Sequence, residues 1–326
     1  MPYRLRDLPF ARTIMGMRAY GGLLAVFLLA CLFSPRRHDT ILFLDLGNLT
    51  DILRQSSEKG ILAVGMTFAI VSGGIDLSVG SILALSATAS ALLLMHHGAA
   101  ALSILVLALV TGAGLGALNG GIIARARMQP FIVTLATMSA VRGLARFLSG
   151  GAGVPLAFGP GAGDPAFQLL GGRLSYYMPI PALIFVLAII TGHLLLAHTS
   201  FGRHVFAIGG NEEAARLSGI RVEWAKVAVY GISGFLSALA GVIHCAQLEQ
   251  GNPNDGVAYE LDAIASVVIG GTSLAGGSGS VIGTMAGALI IGIINNVMGL
   301  NNVDSNIQLI LKGVIIVGAV WLQRRR

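Results

Sequence analysis

The chain has 326 residues, 55% hydrophobic, 11% charged and 6% aromatic, with mean hydropathy +0.80 and formal net charge +6. A soluble domain carries about 25% charged residues, so almost no room is left for a soluble reading. The apolar stretches are continuous rather than alternating with period two, which sets aside a membrane β-barrel and points to an all-α polytopic membrane protein. The 45 glycines suit helices packed closely in lipid.

A spanning helix needs ~20 mostly apolar residues. About ten candidate spans fall near 19–34, 52–72, 77–95, 99–124, 130–149, 178–197, 225–247, 260–275, 279–298 and 306–323. The first has a basic lead, and Leu28 to Cys31 resembles a lipidation box. No small-residue cleavage site follows, so it is read as a first membrane helix. Cys31 and Cys245 lie inside apolar runs and suggest neither a disulfide framework nor a metal site.

The basic residues sit at the ends of apolar runs, so they report topology rather than nucleic-acid binding. With the N-terminus inside, the inner segments hold Arg4, Arg6, Arg12, Arg18, Arg125, Arg127, Arg203, Arg216, Arg221 and Arg324 to Arg326. The outer segments hold Arg36, Arg37, Arg54, Lys59 and Arg173. Twelve against five places both termini in the cytoplasm, with Arg36 and Arg37 as exceptions. The chain 1–326 reads as a single transmembrane domain. It carries an irregular, Gly- and Pro-rich external loop near 150–177 and a cytoplasmic segment near 198–224.

Between the second and third spans lies VSGGIDLSVGS, Val71 to Ser81. Gly73 and Gly74 tolerate the dihedrals that break a helix. Asp76 and Ser78 can cap the next helix, where a carboxylate meets the positive end of the dipole. The alternative is a discontinuous helix whose backbone lines a pathway. Gly270 to Gly277 repeats the spacing G-G-x-x-L-x-x-G, so Gly270 and Gly271 could form a second, paired elbow on the same side.

The cytoplasmic segment contains AIGGNEEAARLSGI. Asn211 is a good N-cap, Glu212 and Glu213 sit where the dipole favours anions, and Arg216 sits where it favours cations. Gly219 can close the helix left-handed. Ala214, Ala215 and Leu217 leave a small apolar face. This is a surface helix or a docking helix for a partner's groove.

No phosphate loop for ATP, H-E-x-x-H string or paired-Cys motif occurs, so no cofactor and no metal is expected. His96 and His97 read as polar interface residues. Ionisable residues at membrane depth are Asp76, Arg142, Arg146, Lys226, Asp262 and Lys312. Lys226 is expected to snorkel; Arg142 and Arg146 either snorkel too, or Arg142 pairs with Asp262. With so few membrane carboxylates, proton coupling is disfavoured. Thr67, Ser72, Asn119, Ser233, Asn295 and Asn296 are neutral polar candidates for a pathway carrying a hydroxylated solute, or else helix–helix hydrogen bonds.

Four stretches together resemble one family. They are GILAVGMTFAIVSGGIDLSVGS (Gly60 to Ser81), LNGGIIARARMQPFIVTLATMSAVRGLA (Leu118 to Ala145), AHTSFGRHVFAIGGNEEAARLSGI (Ala197 to Ile220) and ELDAIASVVIGGTSLAGGSGSVIGT (Glu260 to Thr284). The family is the membrane permease subunits of bacterial ABC sugar importers, the ribose, xylose, arabinose and galactoside group. The resemblance implies an importer-type bundle of about ten helices in the inner membrane. It implies a second permease, identical or homologous, two ABC ATPase subunits, and a periplasmic sugar-binding protein. The family's ATPase-coupling segment would fall at Asn211 to Gly219. GGRLS, Gly171 to Ser175, resembles the galactofuranose importer branch, which uses two different permeases. The competing reading is a secondary transporter or facilitator, which offers the Asn211 helix no role. A membrane scaffold or enzyme has no supporting motif.

Overall fold

The computed structural model describes residues 9–37, 40–157, 161–175 and 177–324. Arg4, Arg6, Arg325 and Arg326 lie outside the described residues, as do the side chains of Arg12, Arg18 and Arg324. The helices are α1 (Pro9–Phe33), α2 (Leu46–Val71), α3 (Val79–His97), α4 (Ala101–Arg125) and α5 (Pro130–Ser149). After them come α6 (Pro165–Gly171), α7 (Ile180–His198), α8 (Ser200–Gly210), α9 (Glu212–Leu217) and α10 (Val222–Leu248). The last three are α11 (Tyr259–Ile269), α12 (Val281–Leu300) and α13 (Ser305–Arg324). Helices make up 76% of the described residues.

Nine of the expected spans match helices to within a few residues at most ends. The largest offsets are at the starts of α1 and α2. The eighth, 260–275, does not: α11 is an 11-residue helix, ~16 Å long and half a membrane span. It stops at Gly270, followed by Gly271 in the left-handed region at φ +92°. Among the described residues, six helices are long and apolar enough to cross a membrane: α3, α4, α5, α7, α10 and α12. α2 carries Asp51, Arg54, Glu58 and Lys59, and the described parts of α1 and α13 give the apolar stretches Tyr20–Phe33 and Ser305–Ile315.

α2, α3 and α10 form the centre, and every residue of α2 from Gly60 to Val71 is buried. α10 crosses α4 most intimately, along Gly112, Gly116 and Gly120. A Cβ on Gly116 would overlap the carbonyl of Tyr230, and one on Gly120 would stand 2.5 Å from the carbonyl of Lys226. Small residues every fourth position thus let two backbones touch. The outward faces of α4 (Leu102, Val106, Val110) and α7 (Leu183, Leu187, Ile190) are exposed and apolar. That is the expected surface of a bundle standing in hydrocarbon.

The segment 150–177 is more ordered than the irregular loop expected. β3 (Val154–Pro155) pairs antiparallel with β6 (Gln250–Gly251), and β4 (Arg173–Ser175) with β5 (Met178–Pro179). α6 packs on α10, with Phe167 fully buried. Arg173, in the GGRLS string, binds Asp51 at 2.5 Å and Thr50 at 3.1 Å, so it ties this segment to α2. β1 (Arg36–Arg37) and β2 (Thr40–Ile41) form a further ribbon at the same end.

Candidate functional site

α9 is built as its sequence demands. Asn211 Oδ1 accepts the backbone N–H of Ala214 at 2.9 Å. At the other end Gly219 has φ +82°. Its N–H reaches the carbonyl of Arg216, and that of Ile220 reaches Ala215, closing both orphan carbonyls. Arg216 is bonded to Glu223, which raises its pKa above the ordinary value, and lies 3.6 Å from Glu212. Lys226 reaches from the start of α10 toward α9: its Nζ sits 2.7 Å from Glu212 Oε2, holding α9 against the start of α10.

The apolar face of α9 differs from expectation. Ala215 is buried with Ile208, Val222 and Ala225, because it lies on the opposite side of the turn from Ala214. The outward face is Glu213, Ala214 and Leu217, with Leu217 81% exposed; Trp224, in the first turn of α10, is 66% exposed. Two large apolar side chains in water at one end of the molecule mark a contact surface.

The end of α8, just ahead of α9, meets both glycine-rich elbows backbone to backbone. A Cβ on Gly209, at the end of α8, would overlap the carbonyl oxygen of Val71 and stand 2.6 Å from the nitrogen of Gly277. The N–H of Gly277 donates to Val71 O at 2.9 Å. A Cβ on Gly276 would stand 2.8 Å from Gly209 O and 2.9 Å from Gly73 Cα. Gly73, Gly276 and Gly277 all have positive φ, at +85°, +83° and +71°. Thus the end of α2, the end of α8 and the loop after α11 meet backbone to backbone. The elbows do meet, but not through the pair the repeat suggested: Gly270 instead packs against Gly283 of α12. The two strings are not conformational copies, since the left-handed residue is Gly73 in one and Gly271 in the other.

Beyond Gly73 the chain turns back into the bundle. Asp76 is fully buried beside Ser233, eleven residues along α10 from Val222, or ~16 Å inward. Its carboxylate accepts the N–H of Ser78 at 3.0 Å, the hydroxyl of Ser78 at 2.5 Å and that of Ser233 at 2.7 Å. Asn119 donates to Ser78 Oγ at 3.1 Å and accepts from Thr137 at 2.6 Å. The capping expectation is half met. Asp76 satisfies the backbone ahead of α3, whereas Ser78, at the N-cap position, makes no side-chain cap bond and donates to Asp76. Ser72–Ser78 is therefore a discontinuous stretch inside the bundle, held by α4, α5 and α10.

The other polar candidates make hydrogen bonds at separate places in the bundle. Thr67 binds Thr284 at 2.7 Å across α2 and α12. Asn296 and Asn48 pair amide to amide at 2.7 and 3.2 Å. The buried Asn295 Oδ1 has no partner among the described residues. Ser72 donates to Ala69 O at the end of α2. Arg142 does not pair with Asp262: it donates to the carbonyls of Pro253 and Asp255, at 2.7 and 2.5 Å. Arg146, exposed near the end of α5, bonds Asn254 at 3.0 Å. Asp262 is held by Lys59 at 2.7 Å and Lys312 at 3.2 Å.

Sequence reasoning passed over Gly209, although the Gly209–Gly210 pair ahead of the Asn211 cap was a visible breaker signal. It also passed over a buried ionic group. His244 lies 2.9 Å from Glu58 and 3.0 Å from Asp255, beside Tyr259. Glu58 and His244 are buried ionisable residues on long helices, and an ionisable residue at depth is itself the signal.

With the geometry described, the chain can be set beside known proteins. The family model for the branched-chain amino acid transport system / permease component matches residues 48–320. The ribose import permease protein RbsC of Bacillus subtilis (strain 168) is 44% identical over 310 residues, covering 95% of this chain and 94% of that protein. RbsC of Escherichia coli (strain K12) is 41% identical over 313 residues, covering 96% and 95%. The xylose transport system permease protein XylH of Escherichia coli (strain K12) is 38% identical, covering 86% and 85%. A metal-chelate type ABC transporter solved in an inward-facing conformation shares the fold, with TM-score 0.52 at 14% identity over 89% of this chain and 92% of that one. The chain belongs to the family of transport-system permease components, and it is a multi-pass membrane permease subunit rather than an enzyme.

Proposed function

We propose that this chain, 1–326, forms the translocation domain of an ATP-driven monosaccharide importer in the bacterial inner membrane. The α9 end faces the cytoplasm with both termini. The observation that carries this reading is the main-chain junction joining the end of α8, just ahead of α9, to both elbows. A partner that grips Leu217 and Trp224 moves Gly209, and Gly209 bears directly on Val71 and Gly277. That supports coupling to an ABC ATPase at Asn211 to Gly219, and no facilitator needs such a device. The ribose and xylose permeases among the relatives support a pentose as first substrate to try. The remaining partners in this reading are a periplasmic sugar-binding protein, a second permease and the lipid bilayer. Small exposed residues on α5 (Ala136, Ala140, Gly143) support α5 as the face toward the second permease. Ser72–Ser78 is the gate candidate, since a broken helix inside a bundle is where transporters place moving backbone.

The test is uptake of ribose and xylose into vesicles holding the chain with its ATPase and binding protein. The expected result is ATP-dependent uptake that a Leu217→Asp, Trp224→Asp double variant abolishes together with ATPase co-purification. Uptake that continues without ATP or ATPase would establish the facilitator reading instead.

A further inference from the structure

Between α10 and α11 the chain runs back into the bundle. A Cβ on Gly251 would overlap the carbonyl oxygen of Ala87, and one on Gly256 would stand 2.6 Å from that of Gly80. Those contacts lie seven residues apart on α3, so the segment follows that helix for ~10 Å toward the elbow. Its tip rests on the first turn of α3, since a Cβ on Gly80 would in turn overlap the carbonyl of Gly256. The segment is sharply bent at both ends. Glu249 and Ala258 have φ +52° and +66°, a region that residues with a side chain rarely occupy. Backbone held there persists only where its surroundings enforce it.

The enforcing contacts are ionic. On one side Arg142 of α5 donates to the carbonyls of Pro253 and Asp255, and Arg146 to Asn254. On the other, His244 of α10 places Nε2 3.0 Å from Asp255 Oδ2 and Nδ1 2.9 Å from Glu58 Oε2 of α2. An imidazolium can donate from both ring nitrogens at once, so one side chain ties the segment to the central helix.

Asn254 is exposed, Val257 is 64% exposed, and Leu261 in the first turn of α11 is 48% exposed. This is irregular backbone beside the spanning helix α3, at membrane depth. Hydrocarbon does not tolerate it, because open peptide groups find no partner there; it occurs only under protein or against water. The exposed face of 254–261 therefore does not stand in lipid. α5, which holds the segment through two arginines, is the face toward the second permease in the reading above.

We infer that the solute path runs past this face, that 249–258 is a re-entrant gate closing the path on the side away from α9, and that His244 positions it. What passes the gate rests on the importer reading. Without the imidazole, Glu58 and Asp255 are left with no cation between them, and their repulsion lifts the segment off α3.

The experiment uses the complete complex with ATPase and binding protein, in vesicles. Val257→Cys and Leu187→Cys are each placed in a Cys31→Ser background and treated with a charged, membrane-impermeant thiol reagent, the background alone serving as blank. A thiol reacts as thiolate, which water permits and hydrocarbon suppresses. During turnover, with ATP and sugar-loaded binding protein, the Val257→Cys thiol should react about tenfold faster than the Leu187→Cys thiol on the apolar face of α7. At rest, reagent on the side away from α9 should reach Val257→Cys slowly. His244→Ala should make that thiol reactive at rest and let ribose or xylose leak without ATP, at normal abundance. A residue that only supported the fold would lower abundance and open no leak. Gly256→Ala, whose added carbon meets the carbonyl of Gly80, should leak in the same way. Should neither variant reach the membrane, the labelling of Val257→Cys decides. A Val257→Cys thiol as slow in turnover as Leu187→Cys overturns the inference. So does one reached equally at rest and in turnover, and so do abundant His244→Ala and Gly256→Ala proteins that stay tight to sugar. Those results leave ATP-driven import standing, whereas uptake by the unaltered complex without ATP defeats that reading and leaves the comparison of the two thiols untouched.

Discussion

Asp262 is ion-paired with Lys59 of α2 at 2.7 Å, not with Arg142, which spends its donors on the carbonyls of Pro253 and Asp255. The pair joins the half-length α11 to the central helix, and Lys312 of α13 adds a second cation at 3.2 Å. Removing one partner of a buried pair strands the other, at a cost of about 3–5 kcal/mol. Asp262→Asn should therefore lower the detergent melting temperature sharply. A Lys59→Asp, Asp262→Lys swap should recover part of that loss. An Arg142→Asp, Asp262→Arg swap should recover none, and recovery there would mean the pairing described is wrong.

Gly209 has no space for a methyl group, whereas Gly210 next to it meets nothing within 4 Å. Gly209→Ala should separate α8 from Val71 and Gly277. In the assembled transporter we expect ATP hydrolysis to continue while uptake drops at least tenfold. Gly210→Ala should leave both rates near their starting values. Equal behaviour of the two variants would show that the junction transmits nothing.

Asp76 accepts three hydrogen bonds in a fully buried position. Asn can keep all three, since serine hydroxyls rotate to accept as well as donate. Asp76→Asn should thus reach normal membrane abundance, and Asp76→Ala should not, losing more than about 3 kcal/mol. If Asp76→Asn is abundant yet transports poorly, the segment moves in turnover. Normal transport at normal abundance would limit Asp76 to holding the elbow.

The α4–α10 crossing gives a test of packing alone. Gly116→Ala should destabilise by about 1–3 kcal/mol through forced separation of the helices. Gly114→Ala, on the outer side of the same helix with nothing within 4 Å, should be silent. Thermal unfolding of the two variants in the same detergent compares them directly.

Most helices were legible because hydropathy alone marks them, and α9 because its signals are local: a cap, a dipole pattern and a closing glycine. What could not be read is set by contacts across the bundle. The 260–275 run looks like one span, yet a positive φ at Gly271 ends it halfway. Ala215 looks like part of an outward apolar face until Ile208, Val222 and Ala225 are seen to cover it. Thr67 and Asn296 could be read as polar, but not that Thr284 and Asn48 stand opposite them. Sequence distance hides each of these partners. The Gly73 and Gly270 strings shared a spacing but not a fold, because the same glycine pattern is compatible with several backbone turns.

A joint made of side chains has play in it, because rotamers can absorb a small displacement before the neighbour feels it. The joint of Val71, Gly209, Gly276 and Gly277 has no rotamers at its points of contact. In the coupling proposed above, a stroke delivered at one side would pass through main chain at these contacts with little loss. The same closeness leaves these positions little freedom to enlarge, whereas the exposed residues of α9 are free to vary.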